Sequence, residues 1–296
     1  KNDKIAIVAP ARKISFDEIK PAIDLYESWG LEVVYGSHLF RSFYQFAGTD
    51  EERAEDLQNF MDDPSIKAIV CARGGYGTVR LMEYLNFEHF KQHPKWIIGY
   101  SDIIVLHCYI SHQLRIKTLH ATMPLNIRKG SEELQAIQLL KRVLFGESLE
   151  YTWQIAPEAN LPETITAPIT GGNLSVLYSV SGTLFDVDTT GKILFIEDLD
   201  EYLYHIDRML MNFKLSHKFS RLKALLVGGM TEMNDNSIPY GFSAHEIIAN
   251  ITKEYTFPVI YDFPAGHFSD NLPIIMGSEV CIQSIARDKM KIQFNA

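Results

Sequence analysis

The sequence has little of what several protein classes depend on, beginning with cysteine and positive charge. It contains 3 cysteines in 296 residues, far apart and odd in number, without the CxxC or Cys/His spacing of a zinc site. Its 28 Lys and Arg residues are outnumbered by 37 Asp and Glu residues, which gives a formal net charge of −9. This balance argues against nucleic acid or an anionic membrane surface as the main partner, because both bind a basic surface.

Long hydrophobic runs are also missing, which argues against a membrane-spanning helix. The first apolar run, "IAIVAP", is too short for the core of a signal peptide and is typical of a buried strand. The sequence starts at Lys1 without Met, which leaves open whether an upstream segment has been removed. Cys71 and Cys281 lie in apolar runs, and buried reduced thiols fit a reducing compartment. We therefore expect a cytoplasmic protein.

The first half of the chain alternates short β-rich apolar runs with longer helical patterns. The patterns predict strands over 4–10, 31–36, 66–72, 95–100 and 117–123, and helices over 15–30, 50–63, 78–85, 102–114 and 131–146. Regular alternation implies βαβ units and a parallel sheet that helices cover on both faces. We therefore predict an α/β fold whose N-terminal domain, residues 1–150, is a parallel-sheet three-layer domain.

The pattern changes after residue 150. Pro157, Pro162 and Pro168 interrupt the following stretch, which favours a linker over 151–166. Beyond it, apolar runs such as "KILFIEDLDE" and "LKALLVGGM" outnumber the helical patterns. We predict a second, strand-rich α/β domain over residues 167–296.

Ser101 stands at a tight junction in "KWIIGYSDIIVLH". An apolar strand ends at Gly99 and Tyr100, and a helix begins at Asp102, so the hydroxyl is expected at the carboxyl end of a parallel sheet. The N–H groups that follow belong to a helix start and can stabilise an oxyanion, as in a nucleophile elbow, although the G-x-S-x-G pattern is absent. An ordinary helix cap by Ser101 or Asp102 is the alternative, and local sequence alone favours it.

The glycine-rich "RGGYG", residues 73–77, follows the preceding strand and comes before a helix. Glycines there let the backbone approach a ligand and present its N–H groups. A plain turn is the alternative, but consecutive strands are usually neighbours in a sheet. Gly74 and Gly75 are therefore expected to face Ser101 and to supply a second oxyanion donor.

Two further candidates lie in the second half. Glu197 ends the apolar strand in "KILFIEDLDE", where it could orient an imidazole, and the alternative is a solvated acid among its acidic neighbours. His267 lies in the turn-rich "DFPAGHFSDNLPI", although a lone histidine is more often structural. His107, His112 and His120 are closer to Ser101 in sequence, and we expect His107 on the far side of the serine helix.

Five stretches together resemble the LD-carboxypeptidase family of serine peptidases. They are "ARGGYG" (72–77), "IIGYSDIIVLH" (97–107), "TGGNLSVL" (170–177), "LFIEDLDEYLYHIDRML" (194–210) and "PAGHFSDNLPIIMG" (264–277). The resemblance implies a Ser101–Glu197–His267 triad and removal of the terminal D-alanine from a murein tetrapeptide during peptidoglycan recycling. It also implies a homodimer, with no metal and no cofactor.

The same resemblance suggests roles for neighbouring residues. The backbone N–H of Asp102 and that of Gly74 or Gly75 would form the oxyanion hole. Arg73 borders the glycine-rich stretch and is the candidate for binding the substrate carboxylate, because its fork of N–H donors suits that group. Backbone N–H groups at a helix start could bind the carboxylate instead, and a structural salt bridge is the alternative role of Arg73. Tyr76 and Asn173, within two of the five stretches, are predicted to bind substrate.

The chain departs from the family pattern in two places. His120-Ala121-Thr122 stands where the family usually has His-Gly-Pro, and Phe268 and Ser269 precede Asn271 where Gly-His-Gly-x-x-Asn is usual. These differences put the exact substrate in question more than the triad. The alternatives are an amidohydrolase of peptidyl-nucleotides, as in microcin immunity, and a ligand-binding relative without catalysis.

Overall fold

The computed structural model describes residues 2–156 and 161–295. Pro157, part of the predicted linker, lies outside the described residues. The strands are β1 (Lys4–Val8), β2 (Glu32–Tyr35), β3 (Ile66–Cys71), β4 (Trp96–Gly99), β5 (Thr118–His120), β6 (Glu150–Gln154), β7 (Thr164–Asn173), β8 (Ile193–Leu199), β9 (Ala224–Thr231), β10 (Val259–Ile260), β11 (Ile274–Met276), β12 (Glu279–Ala286) and β13 (Lys289–Phe294). The α-helices are α1 (Phe16–Ser28), α2 (Asp50–Asp62), α3 (Thr78–Leu81), α4 (Glu88–Gln92), α5 (Ile104–Tyr109), α6 (Gln135–Leu144), α7 (Leu174–Ser179), α8 (Leu203–Leu215) and α9 (Ala244–Thr252).

The first sheet has the order β11-β5-β4-β3-β1-β2. Its pairs are parallel except that of β11 with β5. Both faces are covered, since Ile5 and Val70 pack into one apolar cluster while Ala6 and Ile69 pack into another. Continuous apolar strands are typical of such a sheet, and the predicted parallel α/β architecture is confirmed.

The second sheet has the order β10-β9-β8-β7-β12-β13-β6. Its β10-β9-β8-β7 part is parallel, and the remaining pairs are antiparallel. It forms the strand-rich second half that the sequence predicts.

The strands do not follow the predicted domain boundaries: β7 begins at Thr164, inside the predicted linker, and two further strands lie elsewhere than predicted. β6 lies at the start of the predicted linker. This segment is a strand because Tyr151 and Trp153 alternate with exposed residues and pack on Phe263. β11, from the C-terminal half, pairs antiparallel with β5 and so completes the first sheet. The division at 150 and 167 stays a prediction, and the structure exchanges these strands across it.

The two halves touch closely where α5 crosses β7. Gly172, with φ +138°, has no side chain, and a Cβ there would lie 2.1 Å from Cδ1 of Ile104. Only glycine lets the helix that follows the serine turn approach the strand so closely. This contact brings the end of β4 next to the ends of β7 and β8, where the candidate residues lie.

Candidate active site

Ser101 lies on a strained turn between β4 and α5. Its φ is +63°, in the left-handed region that costs a non-glycine residue about 1–3 kcal/mol. Gly99 makes the turn possible, because a Cβ there would lie 2.9 Å from Cγ1 of Ile103 and 3.2 Å from Cβ of Cys71. The helix cap that local sequence favours is wrong, since neither Ser101 nor Asp102 caps its own helix.

Asp102 instead uses its side chain to hold the glycine-rich loop. The carboxylate is buried, and its Oδ2 accepts a hydrogen bond of 2.8 Å from the backbone N–H of Thr78, the first residue of α3. Burial raises the pKa of Asp102, although the bond to Thr78 opposes that shift. The residue after the serine thus fixes the loop of residues 73–77 beside the serine.

Gly74 is the glycine of this loop that faces the serine. A Cβ at Gly74 would lie 3.1 Å from Oγ of Ser101 and 3.4 Å from the backbone nitrogen of Asp102. Gly75, with φ +117°, faces the side chain of Arg12, and a Cβ there would lie 2.2 Å from its Cδ. The oxyanion roles stay predictions, and the geometry favours Gly74 over Gly75 as the partner of Asp102.

Gly74→Ala keeps the backbone N–H but is expected to lower kcat by about 10²–10³-fold, as much as losing one oxyanion donor, because it displaces the carbonyl from that N–H. The added methyl group would stand where the reacting carbonyl must approach Ser101. Substrate hydrolysis measured beside thermal unfolding tests this. The control is Gly130→Ala, since nothing lies within 4 Å of a Cβ there; its φ of +91° adds a backbone strain that Gly74, outside that region, does not bear, so the control has strain without a contact. Equal losses in both variants would contradict the role of Gly74.

Arg53 is a buried support of the same loop that the sequence interpretation missed. Its side chain is 2% exposed, and Nη1 donates to the carbonyl oxygens of Pro10 and Gly77, while Nη2 pairs with Asp50. A signal was present, because Arg53 precedes Leu57 and Met61 at four-residue spacing on the buried face of α2. An arginine among apolar residues of one helix face indicates a buried anchor rather than a solvated surface.

Glu197 and His267 form a hydrogen-bonded pair. Nδ1–H of His267 donates to Oε2 of Glu197 at 2.7 Å, and Glu197 is fully buried at the end of β8. Burial lowers the pKa of His267, but its hydrogen bond to Glu197 and the negative charge of Glu197 outweigh that effect, so the pKa is raised overall. With Nδ1 protonated, Nε2 of the neutral imidazole is an acceptor.

The serine and the histidine line one cleft of about 400 Å³. Arg73, Gly74, Gly75 and Asn173 line it as well. Within residues 2–156 and 161–295 the Ser101 hydroxyl makes no hydrogen bond of 3.5 Å or less. Catalytic hydrogen bonds are often long in unliganded enzymes and shorten when substrate binds. The structure thus brings the three predicted triad residues to one site from two sheets.

Asp198 is a cleft residue that the sequence interpretation counted among solvated acids. It is 1% exposed, and it accepts hydrogen bonds from Nδ2 of Asn173 at 2.9 Å and from the backbone nitrogens of Ser175 and Leu199 at 2.8 and 2.9 Å. Burial, and then the charge of Glu197, raises its pKa to about 7. Asp198 therefore fixes the start of α7 beside the pair.

Asn173 and Tyr76 are placed differently. Oδ1 of Asn173 caps α7 by accepting from the backbone nitrogen of Val176 at 3.1 Å, and its Nδ2 donates to Asp198, so both polar ends serve the fold. Tyr76 is half exposed with its ring 6.3 Å from that of Phe46, and it is not one of the residues that line the cleft. Substrate binding by these two residues stays a prediction.

Arg73 lines the cleft without an ionic partner in the described part of the chain. Its Nη1 donates to the carbonyl oxygen of Lys13 at 3.1 Å, and its Nε has no hydrogen-bond partner. Burial lowers its pKa. The alternative of a structural salt bridge is not supported, so the guanidinium retains donors for an anion.

The remaining predictions concern residues away from the cleft. His107 lies behind the serine turn as expected, where its ring nitrogens contact Oγ1 of Thr118 at 2.8 Å and the carbonyl oxygen of Gly99 at 2.9 Å. Cys71 and Cys108 are buried, whereas Cys281 is only partly buried. No group of three or more His, Cys, Asp or Glu residues that could hold a metal ion is found in residues 2–156 and 161–295. None of the described helices combines the length and apolar character that crossing a membrane requires.

Comparison with known proteins identifies the family. Residues 5–121 match the LD-carboxypeptidase N-terminal domain, and residues 166–282 match the LD-carboxypeptidase C-terminal domain. The chain is 32% identical over 291 residues to the probable murein peptide carboxypeptidase of Bacillus subtilis, covering 96% of this chain and 90% of that protein. It is 28% identical to the murein tetrapeptide carboxypeptidase of Pseudomonas aeruginosa, covering 90% and 89%.

Solved structures show the same fold. Muramoyltetrapeptide carboxypeptidase from Oxalobacter formigenes superposes with a TM-score of 0.89 at 24% identity and covers 99% of each chain. The microcin C7 self-immunity protein MccF superposes with a TM-score of 0.86 at 19% identity, covering 99% of this chain and 96% of its own. The sequence matches show that the chain belongs to the LD-carboxypeptidase family, and it is an enzyme of the carboxypeptidase class.

Proposed function

We propose that this member of the LD-carboxypeptidase family is a serine carboxypeptidase that removes the terminal D-alanine from murein tetrapeptide in peptidoglycan recycling. The observation that carries the proposal is the cleft shared by Ser101, on its strained turn, and the His267–Glu197 pair. The names of the bacterial relatives support murein peptide as the substrate.

The geometry supports a triad mechanism. Glu197 holds His267 with Nδ1 protonated, so Nε2 can take the proton from Ser101. The serine oxygen attacks the scissile carbonyl, and the resulting imidazolium protonates the leaving amine of D-alanine. Water, deprotonated by the same imidazole, then hydrolyses the acyl-enzyme. The backbone N–H groups of Asp102 and Gly74 stabilise the oxyanion of each tetrahedral intermediate.

Arg73 is proposed to bind the free carboxylate of D-alanine. Its position beside the glycine-rich loop puts a guanidinium within the same cleft as Ser101. Guanidinium–carboxylate pairs combine charge with two parallel hydrogen bonds. Such a contact would select the last residue of a peptide and exclude internal bonds.

Arg73→Met is expected to lower kcat/KM for the tetrapeptide by about 10–10²-fold, because a charged hydrogen bond contributes ~1.5–3 kcal/mol. The same substitution should hardly change the slow hydrolysis of a tetrapeptide whose terminal carboxylate is amidated. Measuring both substrates with both proteins isolates the contact between Arg73 and the carboxylate. If the two substrates lose rate equally, Arg73 supports the loop instead of binding the carboxylate.

Release of D-alanine from purified murein tetrapeptide tests the substrate assignment. The second candidate is hydrolysis of an aminoacyl-nucleotide, since MccF structures hold aspartyl sulfamoyl adenosine and glutamyl sulfamoyl guanosine. Asp200 lines the cleft of this chain and would repel the acidic side chain of such a ligand. Turnover of the aminoacyl-nucleotide without release of D-alanine would favour the second candidate.

We also propose a cytoplasmic homodimer. The two buried thiols, Cys71 and Cys108, support a reducing compartment. Sedimentation of the purified protein tests the dimer, and cell fractionation tests the compartment.

A further inference from the structure

Only one of the two carboxylate oxygens of Glu197 accepts a hydrogen bond in the described structure. Oε2 accepts from His267, while Oε1 is buried without a partner. A buried carboxylate is costly unless hydrogen bonds compensate for its lost hydration. Buried polar atoms in native proteins nearly always have a partner, so the surroundings of Oε1 should contain a donor.

His120 supplies one unused donor on this side of Glu197. It is fully buried, and neither of its ring nitrogens has a partner in the described structure. Its ring lies 5.4 Å from that of Phe195 on β8 and 5.7 Å from that of Tyr100, which in turn lies 5.0 Å from the ring of His267, the partner of Glu197. Burial lowers the pKa of His120 well below its ordinary value, so the imidazole is neutral and carries one N–H.

Asn271 supplies a second unused donor. It is 1% exposed, and its Nδ2 has no partner among the described residues. Its Oδ1 accepts from the backbone nitrogen of Gly266 at 2.8 Å. A Cβ at Gly266 would lie 2.9 Å from Oε2 of Glu197. Gly266, the hydrogen-bond partner of Asn271, therefore lies between the Asn271 amide and the Glu197 carboxylate.

We propose that His120 and Asn271 are positioning residues that donate to Oε1 of Glu197, directly or across one buried water, and so hold the carboxylate that orients His267. Two donors and one acceptor, each without a partner among the described residues, lie in one buried region, where a shared water would satisfy all three. A buried water needs two to four polar partners, and these three groups provide them. The proposal rests on the proposed triad and extends it by a second layer.

The pair carries a distinct charge in each protonation state. With His267 neutral, the pair is an anion and depends on the two donors; with His267 protonated, the pair is a neutral ion pair and depends on them less. Removing a donor therefore disfavours the neutral, active form of His267 and raises the pKa of its imidazole. The acidic limb of the pH profile should move to higher pH.

Other charged and titratable groups face the pair and are left unchanged by the test. They are Asp198 on β8, Glu232 after β9, Tyr100 after β4 and, beside His120, His107 on α5. Their contributions cancel when a variant is compared with the wild type under the same conditions.

The experiment compares His120→Leu, which removes the donor, with His120→Gln, which retains an amide N–H. Asn271→Asp is the second variant, because it keeps an oxygen for Gly266; it exchanges the donor for a carboxylate, whose charge acts in the same direction, so its shift supports the proposal only together with that of His120→Leu. The acidic limb of kcat/KM is expected to rise by about one pH unit in His120→Leu and in Asn271→Asp, and to return toward wild type in His120→Gln.

A second readout does not depend on turnover. The imidazole of His267, followed by NMR in the unliganded protein, should titrate at higher pH in the two donor-deficient variants. This measurement decides the proposal even if murein tetrapeptide proves not to be the substrate. Unshifted titration of His267 in folded His120→Leu and Asn271→Asp proteins would overturn it, and so would equal shifts in His120→Leu and His120→Gln.

Discussion

Ser101→Ala is expected to lower kcat for release of D-alanine by about 10⁴-fold or more, as removal of a triad nucleophile does in other serine hydrolases. The variant keeps the cleft, the oxyanion donors and the Glu197–His267 pair, so its affinity for the tetrapeptide should change little. Stopped assays that quantify D-alanine, combined with calorimetric binding of the tetrapeptide, separate the two effects.

The matched control is Ser175→Ala, because Ser175 places a second hydroxyl in the same cleft. Its hydroxyl donates to Oδ1 of Asn173 at 2.8 Å and belongs to the cap of α7. We expect this variant to retain activity within about tenfold, since one cap bond contributes ~1 kcal/mol. Full activity of Ser101→Ala would reject the serine mechanism.

Ser101→Gly adds a result of opposite sign. Glycine adopts the φ of +63° without the strain that serine bears, so this inactive variant should unfold at a higher temperature than the wild type. The gain should be about 1 kcal/mol in the free energy of unfolding. A gain in stability with loss of activity would show that the turn is strained for the placement of the hydroxyl.

Glu197→Gln is expected to lower kcat by about 10³–10⁴-fold, because the glutamine amide can donate to Nδ1 and so favour the wrong tautomer of His267. Its residual activity should also change its pH dependence. Glu197 raises the pKa of His267, so its neutralisation should move the acidic limb of kcat/KM to lower pH. Loss of a donor at His120 should move the limb the other way.

Another glutamate–histidine pair of this chain provides the control. Oε2 of Glu201 lies 2.7 Å from Nδ1 of His205, at a partly exposed site on α8. Glu201→Gln removes the same kind of contact outside the proposed triad. Its kcat should stay within about threefold of wild type, since an exposed pair contributes under ~1 kcal/mol. Equal losses in both variants would contradict a special role for Glu197.

The serine turn was predictable because its cause is local. Apolar runs on either side of Gly99-Tyr100-Ser101-Asp102 force a tight reversal between two buried elements. The carboxyl ends of parallel strands meet at one edge of a sheet, and that rule also brings the glycine-rich loop to the serine. The bonding partners of Asp102 and Arg53 were not predictable, because each side chain bonds to backbone more than 20 positions away.

The acids at the end of β8 show another limit of the sequence. Glu197 and Asp198 precede Asp200 and Glu201, and nothing in their order separates buried acids from exposed ones. Burial is decided by β7 on one side and the loop of His267 on the other, both distant in sequence. β6 was missed for the same reason, because Tyr151 and Trp153 are buried by Phe263, which is distant in sequence.

The pairing of β11 with β5 has a mechanical consequence for the histidine. The segment that carries His267 leaves the second sheet after β10 and enters the first sheet at Ile274, seven residues after His267. The loop of His267 is therefore held at both ends, at one end by the sheet that carries Glu197 and at the other by the sheet that precedes Ser101. A hinge motion that separated the two sheets would have to break the pairing of β11 with β5 or displace the imidazole of His267. The fold thus restricts opening of the cleft and positions the histidine base before a peptide binds.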